Sequence, residues 1–334
     1  MGRKKVVITL EQTGRYADIF QDDIMADLRE QADVVLNDLG RALSTEELAE
    51  RARDADAIIT CWGAPHVDRS VIESAPRLKI IAHAAGSVKN LISEDVWDAG
   101  VVVTNAASVM ATYVGEFALC LALAMLRTLP EHTCGAPSDV WRDLPARGNE
   151  TLFGKTVGLV GFGHTARAFL RVLAPFGCRV IVYDPYVAPE TAKSLGVNLA
   201  SLEEVLSTAR VVSLHAPITD ETKHMLNAAN LRLIQDGAVL VNTARGWLID
   251  HDALTAELAT GRFKAALDVT TPEPLPPDHP LRRMPNVLIT PHIAGPTPDG
   301  RRDMFRCVVD DLKLFWAGGT PRNIVTRQML ATMA

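Results

Sequence analysis

The chain has 334 residues, of which 48% are hydrophobic and 22% charged, and its formal net charge at pH 7 is −6. These values are typical of a soluble globular protein that is long enough for two domains with separate cores. The negative charge, without a compensating basic stripe, argues against a nucleic-acid partner. The start of the chain lacks the apolar core of a signal peptide, and the longest apolar stretch, 117–126, is too short to span a bilayer. We therefore expect a cytoplasmic location and no membrane contact.

The cysteines are five in number, scattered along the chain, and show neither CxxC nor Cys/His ligand spacing. Such a set predicts neither a disulfide framework nor a structural zinc site, and it suits a reducing compartment. We expect no metal ion and interpret most of these residues as small core side chains. They are Cys61, Cys120, Cys134, Cys178 and Cys307.

The first 105 residues alternate short apolar runs with segments that are compatible with helices. Ser44, followed three positions later by Glu47, is a helix start signal. Short strands separated by helices predict a parallel α/β sheet. The predicted strands are 6–8, 34–36, 57–59, 80–82 and 101–103.

A helix predicted at 115–127 is apolar on nearly all sides, which indicates burial between domains or subunits. The next segment, 129–154, is polar and rich in proline and glycine, and we interpret it as a long connection.

The stretch 157–184 carries the most specific pattern in the chain. A strand-like run leads into Gly161 and Gly163, Ala166 takes the third small position, a helical repeat follows, and a second strand-like run ends at Asp184. This order is the fingerprint of a dinucleotide-binding βαβ unit. The glycines permit a tight turn and close approach to a pyrophosphate, and the helix start offers N–H groups to it. A carboxylate at the second strand end accepts from a ribose 2′-hydroxyl and repels a 2′-phosphate, which predicts NAD rather than NADP.

Four later strand-like runs, predicted at 211–214, 238–241, 265–269 and 287–290, carry polar residues at or near their ends, and a last helix is predicted at 299–316. In a parallel sheet, ligands bind beyond the carboxyl ends of the strands. The polar residues at these ends are therefore candidate functional residues. They are His215, Arg245, Asp268 and His292.

These motifs, in this order, resemble the D-isomer-specific 2-hydroxyacid dehydrogenases, the family of phosphoglycerate and glyoxylate/hydroxypyruvate-type enzymes. The resemblance covers nearly the whole chain, and several ordered motifs are far more specific than any one alone. They are Asn105, Val114-Gly115-Glu116, the glycine turn, 213–217, 242–246, 267–269, 273–275, 290–295 and Pro321-Arg322-Asn323.

The resemblance implies an α/β fold of two Rossmann-like, doubly wound parallel-sheet domains, with the NAD-binding domain inserted in a flavodoxin-like substrate domain. We expect a substrate-binding domain of 1–105 plus 298–334 and an NAD-binding domain of 106–297. A homodimer is a further expectation from the resemblance.

The resemblance also implies that the chain interconverts a D-2-hydroxy acid and its 2-oxo acid, with Arg245, Glu273 and His292 as catalytic residues. The residue types suit this chemistry. A histidine ordinarily titrates near neutrality and can serve as the general acid and base. Glu273 can pair with it and favour the imidazolium. Arg245 offers a planar fork to the substrate carboxylate or carbonyl oxygen.

Other positions carry over from the family as ligand contacts. The substrate loop is expected at Ala85, Gly86 and Ser87, with Arg245 as a further substrate contact. This loop departs from the usual Gly-x-Gly-x-Asp-Asn because it lacks the aspartate, and the usual Val-Ala-Glu reads Val114-Gly115-Glu116. The expected NAD contacts are Gly161, Gly163, His164, Thr165, Asp184, His215 and Pro217 beside the adenosine, Thr243, Ala244, Asp268 at the carboxamide, and His292.

Two alternative functions stay open at this point. The same scaffold suits formate or phosphite oxidation with NAD, although Glu273 beside His292 disfavours formate, for which we expect an uncharged partner of the histidine. The chain also resembles NADH-sensing corepressors that recruit partners, but it has no long disordered extension of the kind that would support such a role.

Overall fold

The structure is a computed structural model that describes residues 2–130, 149–295 and 297–333. The chain folds as two compact units: unit 1 comprises Met1–Met110 and Pro296–Ala334, and unit 2 comprises Ala111–Gly295. Unit 2 is therefore inserted in the sequence of unit 1. The domain boundaries expected from the sequence lie within five residues of these divisions. Cys134 and most of the predicted connection at 129–154 lie outside the described residues.

Unit 1 is built on a five-stranded parallel sheet with the strand order β2-β1-β3-β4-β5. This is the flavodoxin-like order, as the resemblance implied. Its strands are β1 Lys4–Glu11, β2 Ala32–Asn37, β3 Ala57–Thr60, β4 Ile80–His83 and β5 Val102–Asn105. Its helices are α1 Asp22–Gln31, α2 Thr45–Arg51, α3 Arg69–Ser74, α4 Asp95–Asp98 and the C-terminal helix Pro298–Trp316.

The C-terminal helix belongs to the core of unit 1, because Met304, Phe305 and Val308 are fully buried against the apolar strands of its sheet. The predicted start of α2 is also confirmed. Ser44 accepts a hydrogen bond from the Glu47 amide, and the Glu47 carboxylate accepts one from the Ser44 amide. This reciprocal capping satisfies two N–H groups that a helix start otherwise leaves unpaired.

Unit 2 is built on a seven-stranded parallel sheet with the strand order β12-β11-β10-β9-β6-β7-β8. The chain first adds β7 and β8 on one side of β6, and then returns to add β9, β10, β11 and β12 on the other side. The switch point of this Rossmann-type sheet therefore lies between β6 and β9. Its strands are β6 Thr156–Val160, β7 Arg179–Tyr183, β8 Asn198–Leu199, β9 Val211–Leu214, β10 Val239–Asn242, β11 Lys264–Leu267 and β12 Val287–Ile289. Its later helices are α6 His164–Leu173, α7 Pro189–Ser194, α8 Leu202–Thr208, α9 Ala228–Leu231 and α10 His251–Ala259; the C-terminal helix is α11.

Helix α5, Ala107–Leu126, corrects two sequence predictions. It begins eight residues before the predicted start at 115, and the Asn105 side chain accepts a hydrogen bond from the amide of its first residue, Ala107. With 20 residues it is also long and apolar enough to cross a membrane by length and composition, contrary to the estimate from 117–126. Its buried residues, including Ala118, Leu121 and Met125, pack in the core of unit 2, as expected for an internal helix.

Candidate active site

The glycine turn stands at the carboxyl end of β6. Gly161 has a φ of +87°, and a Cβ there would lie 2.6 Å from the Ala216 amide nitrogen, so only glycine fits between the ends of β6 and β9. Gly163 is the N-terminal cap of α6, and a Cβ there would meet no atom within 4 Å. Open space therefore lies over the first residues of α6, His164 and Thr165, and no side chain caps this helix start. The free backbone N–H groups of this helix start and the open space beside them fit the pyrophosphate of a dinucleotide.

Asp184 follows the last residue of β7 and is held by two backbone groups. Its carboxylate oxygens accept hydrogen bonds from the Phe162 amide at 2.7 Å and the Tyr186 amide at 2.9 Å. The first of these amides belongs to the glycine turn itself, so the acid is fixed beside the segment that the sequence predicts to bind phosphate. Each oxygen keeps a lone pair that can accept from a ribose hydroxyl.

Buried polar atoms without partners mark the ends of β9 and β10. The His215 ring packs against Phe169 with a centroid distance of 5.6 Å, and neither ring nitrogen has a hydrogen-bond partner among the described residues. Burial lowers the pKa of His215 to about 3, so the imidazole is neutral. The Thr243 hydroxyl is likewise buried without a partner in the described parts of the chain. Pro217 and Ala244 follow the same two strands. Buried polar groups without partners are expected where a bound ligand supplies the missing hydrogen bonds, so these strand ends fit a ligand site.

Arg245 lies three residues beyond β10. Its guanidinium donates to the Ala244 carbonyl at 2.7 Å, and the Asn242 side chain donates to the Arg245 carbonyl at 2.9 Å. Burial lowers the pKa of Arg245, while the charge of Glu273 raises it. A Cβ on Gly246 would lie 2.2 Å from the Thr270 carbonyl, so this turn sits directly against the segment that leads to Glu273. The structure thus brings arginine and glutamate, 28 positions apart in sequence, into electrostatic contact.

Glu273 and His292 form a hydrogen-bonded pair. His292 Nδ1 lies 2.6 Å from Glu273 Oε1, and the two side chains are 50% and 41% exposed. Both border a cavity of about 590 Å³, so the pair is open to small molecules. Because the carboxylate fixes Nδ1 as the donor, Nε2 is left to exchange a proton with a ligand. The structure thus pairs the two residues that the sequence analysis paired, and their acid–base role stays a prediction.

Asp268 has a structural role besides the cofactor contact that the resemblance implies. The residue is 1% exposed, and its carboxylate accepts from the Thr290 hydroxyl at 2.6 Å and from the Ile293 and Ala294 amides, each at 2.9 Å. Its carbonyl accepts the His292 amide at 3.0 Å. The aspartate therefore holds the whole segment that carries His292, whose φ is +55°. Its expected contact with the cofactor carboxamide stays a prediction.

The expected substrate residues Ala85, Gly86 and Ser87 lie in unit 1, directly beyond β4. Ala85 is fully buried and Ser87 is partly exposed at the end of the sheet. Within the described ranges, no group of three His, Cys, Asp or Glu side chains is placed to hold a metal ion.

Comparison with known proteins identifies the family of the chain. Residues 119–294, just over half of the chain, match the family described as D-isomer specific 2-hydroxyacid dehydrogenase, NAD binding domain. The glyoxylate reductase of Korarchaeum cryptofilum is 34% identical over 292 residues, which cover 86% of this chain and 87% of that protein. The D-3-phosphoglycerate dehydrogenase of Methanocaldococcus jannaschii is 35% identical over 305 residues, which cover 89% of this chain but only 58% of that longer protein.

The fold is also shared with solved structures. A phosphoglycerate oxidoreductase from Rhizobium etli superimposes with a TM-score of 0.83 at 27% identity, covering 97% of this chain and 99% of the other. The cofactor is NAD, as the match to the NAD-binding domain shows and as the glycine turn and Asp184 predicted. The chain belongs to the D-isomer-specific 2-hydroxyacid dehydrogenases, NAD-dependent oxidoreductases that interconvert 2-hydroxy and 2-oxo acids.

Proposed function

We propose that this chain interconverts a small D-2-hydroxy acid and its 2-oxo acid, with Arg245, Glu273 and His292 as the catalytic residues. The observation that carries the proposal is the 2.6 Å pair of Glu273 and His292 within the electrostatic reach of a half-buried arginine. NAD, when bound, supplies or accepts the hydride. The protein's own groups must therefore manage the proton and the negative charge.

In the reductive direction, His292 donates a proton to the oxygen of the former carbonyl, and in the oxidative direction the neutral ring takes it back. Glu273 orients the ring through Nδ1 and stabilises the imidazolium. Arg245 holds the substrate carboxylate or carbonyl oxygen and stabilises the charge that develops there.

We assign cofactor binding to unit 2, and to unit 1 we assign the substrate loop, which adds to the substrate contact of Arg245. In unit 2 the start of α6, with Gly163, His164 and Thr165, would hold the pyrophosphate, and Asp184 would hold the ribose. His215 and Pro217 would contact the adenosine end, and Thr243, Ala244 and Asp268 would contact the nicotinamide end. In unit 1 the amides of Ala85, Gly86 and Ser87 bind the substrate carboxylate.

The experiment is an NADH-oxidation assay of the purified chain with glyoxylate, hydroxypyruvate, pyruvate and longer 2-oxo acids. We expect turnover with at least one of them. Formate and phosphite with NAD form the control arm, because these substrates test the alternative chemistries of the scaffold. A folded protein that binds NADH but turns over none of the 2-oxo acids contradicts the proposal.

We further propose a cytoplasmic homodimer that pairs through helix α5. Most of this helix is apolar, yet Phe117, Leu123 and Ala124 are only partly buried and Cys120 is exposed within one chain. A second copy would cover this face. Sedimentation equilibrium at micromolar concentration measures the mass directly, and a monomer there contradicts the pairing.

A further inference from the structure

We infer that His251 is a positioning residue for Glu273: its buried ring fixes a backbone peptide group that in turn holds the glutamate carboxylate in place. The inference rests on the proposed function, because it concerns the glutamate of the proposed catalytic pair. It adds to that pair a side chain from the start of α10, 22 positions earlier in the sequence.

The His251 ring makes two hydrogen bonds, each to a backbone group. The residue is the first of α10 and is 8% exposed. Its Nδ1 lies 3.1 Å from the Ile249 carbonyl oxygen, and its Nε2 lies 3.3 Å from the Thr271 amide nitrogen. A carbonyl only accepts and an amide N–H only donates, so both contacts require the same neutral tautomer, with the proton on Nδ1. Burial lowers the pKa of His251, which favours this neutral form.

The peptide group that joins Thr270 to Thr271 is held on two sides. Its N–H donates to the His251 ring, and no other acceptor for it lies within hydrogen-bond distance in the described parts of the chain. Its carbonyl carbon and oxygen lie against Gly246, where a Cβ would be 2.2 Å from both atoms. The peptide is therefore clamped between the turn that follows Arg245 and the start of α10.

The Thr270 amide links this peptide to the glutamate. It donates to Glu273 Oε2 at 3.4 Å, and the Thr270 hydroxyl donates to the Pro272 carbonyl at 2.9 Å. The segment 270–273 is thus a closed turn, and its position sets the position of the carboxylate. The other carboxylate oxygen, Oε1, lies 2.6 Å from His292 Nδ1. A rotation of the clamped peptide therefore moves the glutamate relative to the histidine.

His251 contributes orientation, because both of its ring contacts are to backbone groups. Without its Nε2 the Thr271 amide has no partner, and a partly buried N–H group then rotates towards water or another acceptor. A misplacement of about 1 Å near the chemistry can cost on the order of 10²-fold in rate. NADH binding should be spared, because the glycine turn and Asp184 follow β6 and β7, on the far side of β9 and β10 in the sheet.

The test compares His251→Asn with His251→Gln in the full chain, using the 2-oxo acid that the wild type reduces. Asparagine places an amide near Nδ1, where it can still donate to the Ile249 carbonyl, but it is too short to reach the Thr271 amide. Glutamine places an amide oxygen near the position of Nε2. We expect His251→Asn to lower kcat about tenfold and His251→Gln to stay within about threefold of the wild type. The NADH dissociation constant, measured by fluorescence, should change by less than about twofold in both.

A double-mutant cycle separates positioning from a general structural role. In a Glu273→Ala background no carboxylate is left to position, so adding His251→Asn should change the residual kcat by less than about twofold. Thr255→Val is the matched control on the same helix. It removes the hydroxyl that donates to the His251 carbonyl at 2.6 Å and leaves the ring contacts intact, so it should keep the wild-type kcat.

A general structural role predicts equal losses from His251→Asn in both backgrounds, or a Thr255→Val protein that loses as much kcat as His251→Asn. Either result overturns the inference, as does a wild-type kcat in folded His251→Asn or a loss of about tenfold in folded His251→Gln. If His251→Asn does not fold, His251→Leu takes its place in the cycle with the same expected outcomes. Failure of the proposed function is distinguishable, because the wild type itself would then reduce no 2-oxo acid.

Discussion

Replacing Asp268 with asparagine tests the link between the buried core of unit 2 and His292, the proposed general acid and base. The carboxylate accepts three hydrogen bonds, from Thr290, Ile293 and Ala294, in a site that is 1% exposed. Asparagine keeps one acceptor oxygen but presents an NH₂ group where the other oxygen stood. At least one donor of the histidine segment then faces another donor.

The cost follows from these contacts. One buried donor left unsatisfied costs about 1–3 kcal/mol, and the remaining bonds lose the strengthening that an ionised acceptor provides. We expect Asp268→Asn to lower the free energy of unfolding by about 2–4 kcal/mol. For a unit of this size the melting temperature should fall by roughly 5–10 °C. The kcat should also fall, by about tenfold or more, because His292 is no longer held in its left-handed backbone conformation.

Calorimetry and steady-state kinetics on the same preparation measure both effects. Thr290→Val is the matched control, since it removes one hydrogen bond to the same carboxylate and keeps the charge; we expect a loss of about 1 kcal/mol. An Asp268→Asn protein with the melting temperature of the wild type, or with a free energy of unfolding no lower than that of Thr290→Val, refutes the reasoning that this aspartate holds the segment that carries His292.

Three further predictions concern other parts of unit 2. Gly115→Ala should destabilise the protein by about 1–3 kcal/mol in a thermal melt, because its Cβ would lie 2.8 Å from the Phe169 backbone nitrogen; an unchanged melting temperature speaks against this close packing. The free energy of unfolding should fall as the pH drops from 6.5 towards 3, because His215 binds a proton in the unfolded chain but stays neutral where it is buried in the folded protein. In urea titrations His215→Leu should remove up to about 1.4 kcal/mol per pH unit from that slope, and an identical slope contradicts the burial. Asp184→Ala should raise the KM for NADH about tenfold and reduce the preference for NADH over NADPH. An unaltered preference would show that Asp184 does not bind the ribose.

Local pattern predicted much of the fold. Short apolar strands between helices, the glycine turn and the polar strand ends each depend on residues close in sequence, and the two parallel sheets confirm that interpretation. The predicted start of α5 was wrong because the helix is apolar on most sides, which hides its period.

Contacts between distant segments could not be predicted from the sequence. The fit of Gly246 against Thr270, and the carboxylate of Asp268 beneath the histidine segment, depend on how neighbouring strand ends pack. The contact between the Thr60 hydroxyl and the His83 ring, at 3.0 Å, did have a signal in the sequence. A polar residue ends each of the two otherwise apolar strands. Only the register of the sheet shows that these side chains meet.

The central claim is that the pair of Glu273 and His292 handles the proton beside the bound cofactor. The most direct measurement is the kcat of His292→Ala with the preferred 2-oxo acid, taken together with the NADH dissociation constant of the same protein. Loss of a general acid predicts a kcat reduced by about 10²–10⁴-fold while NADH binds as in the wild type. A His292→Ala protein that binds NADH and turns over at the wild-type rate contradicts the account.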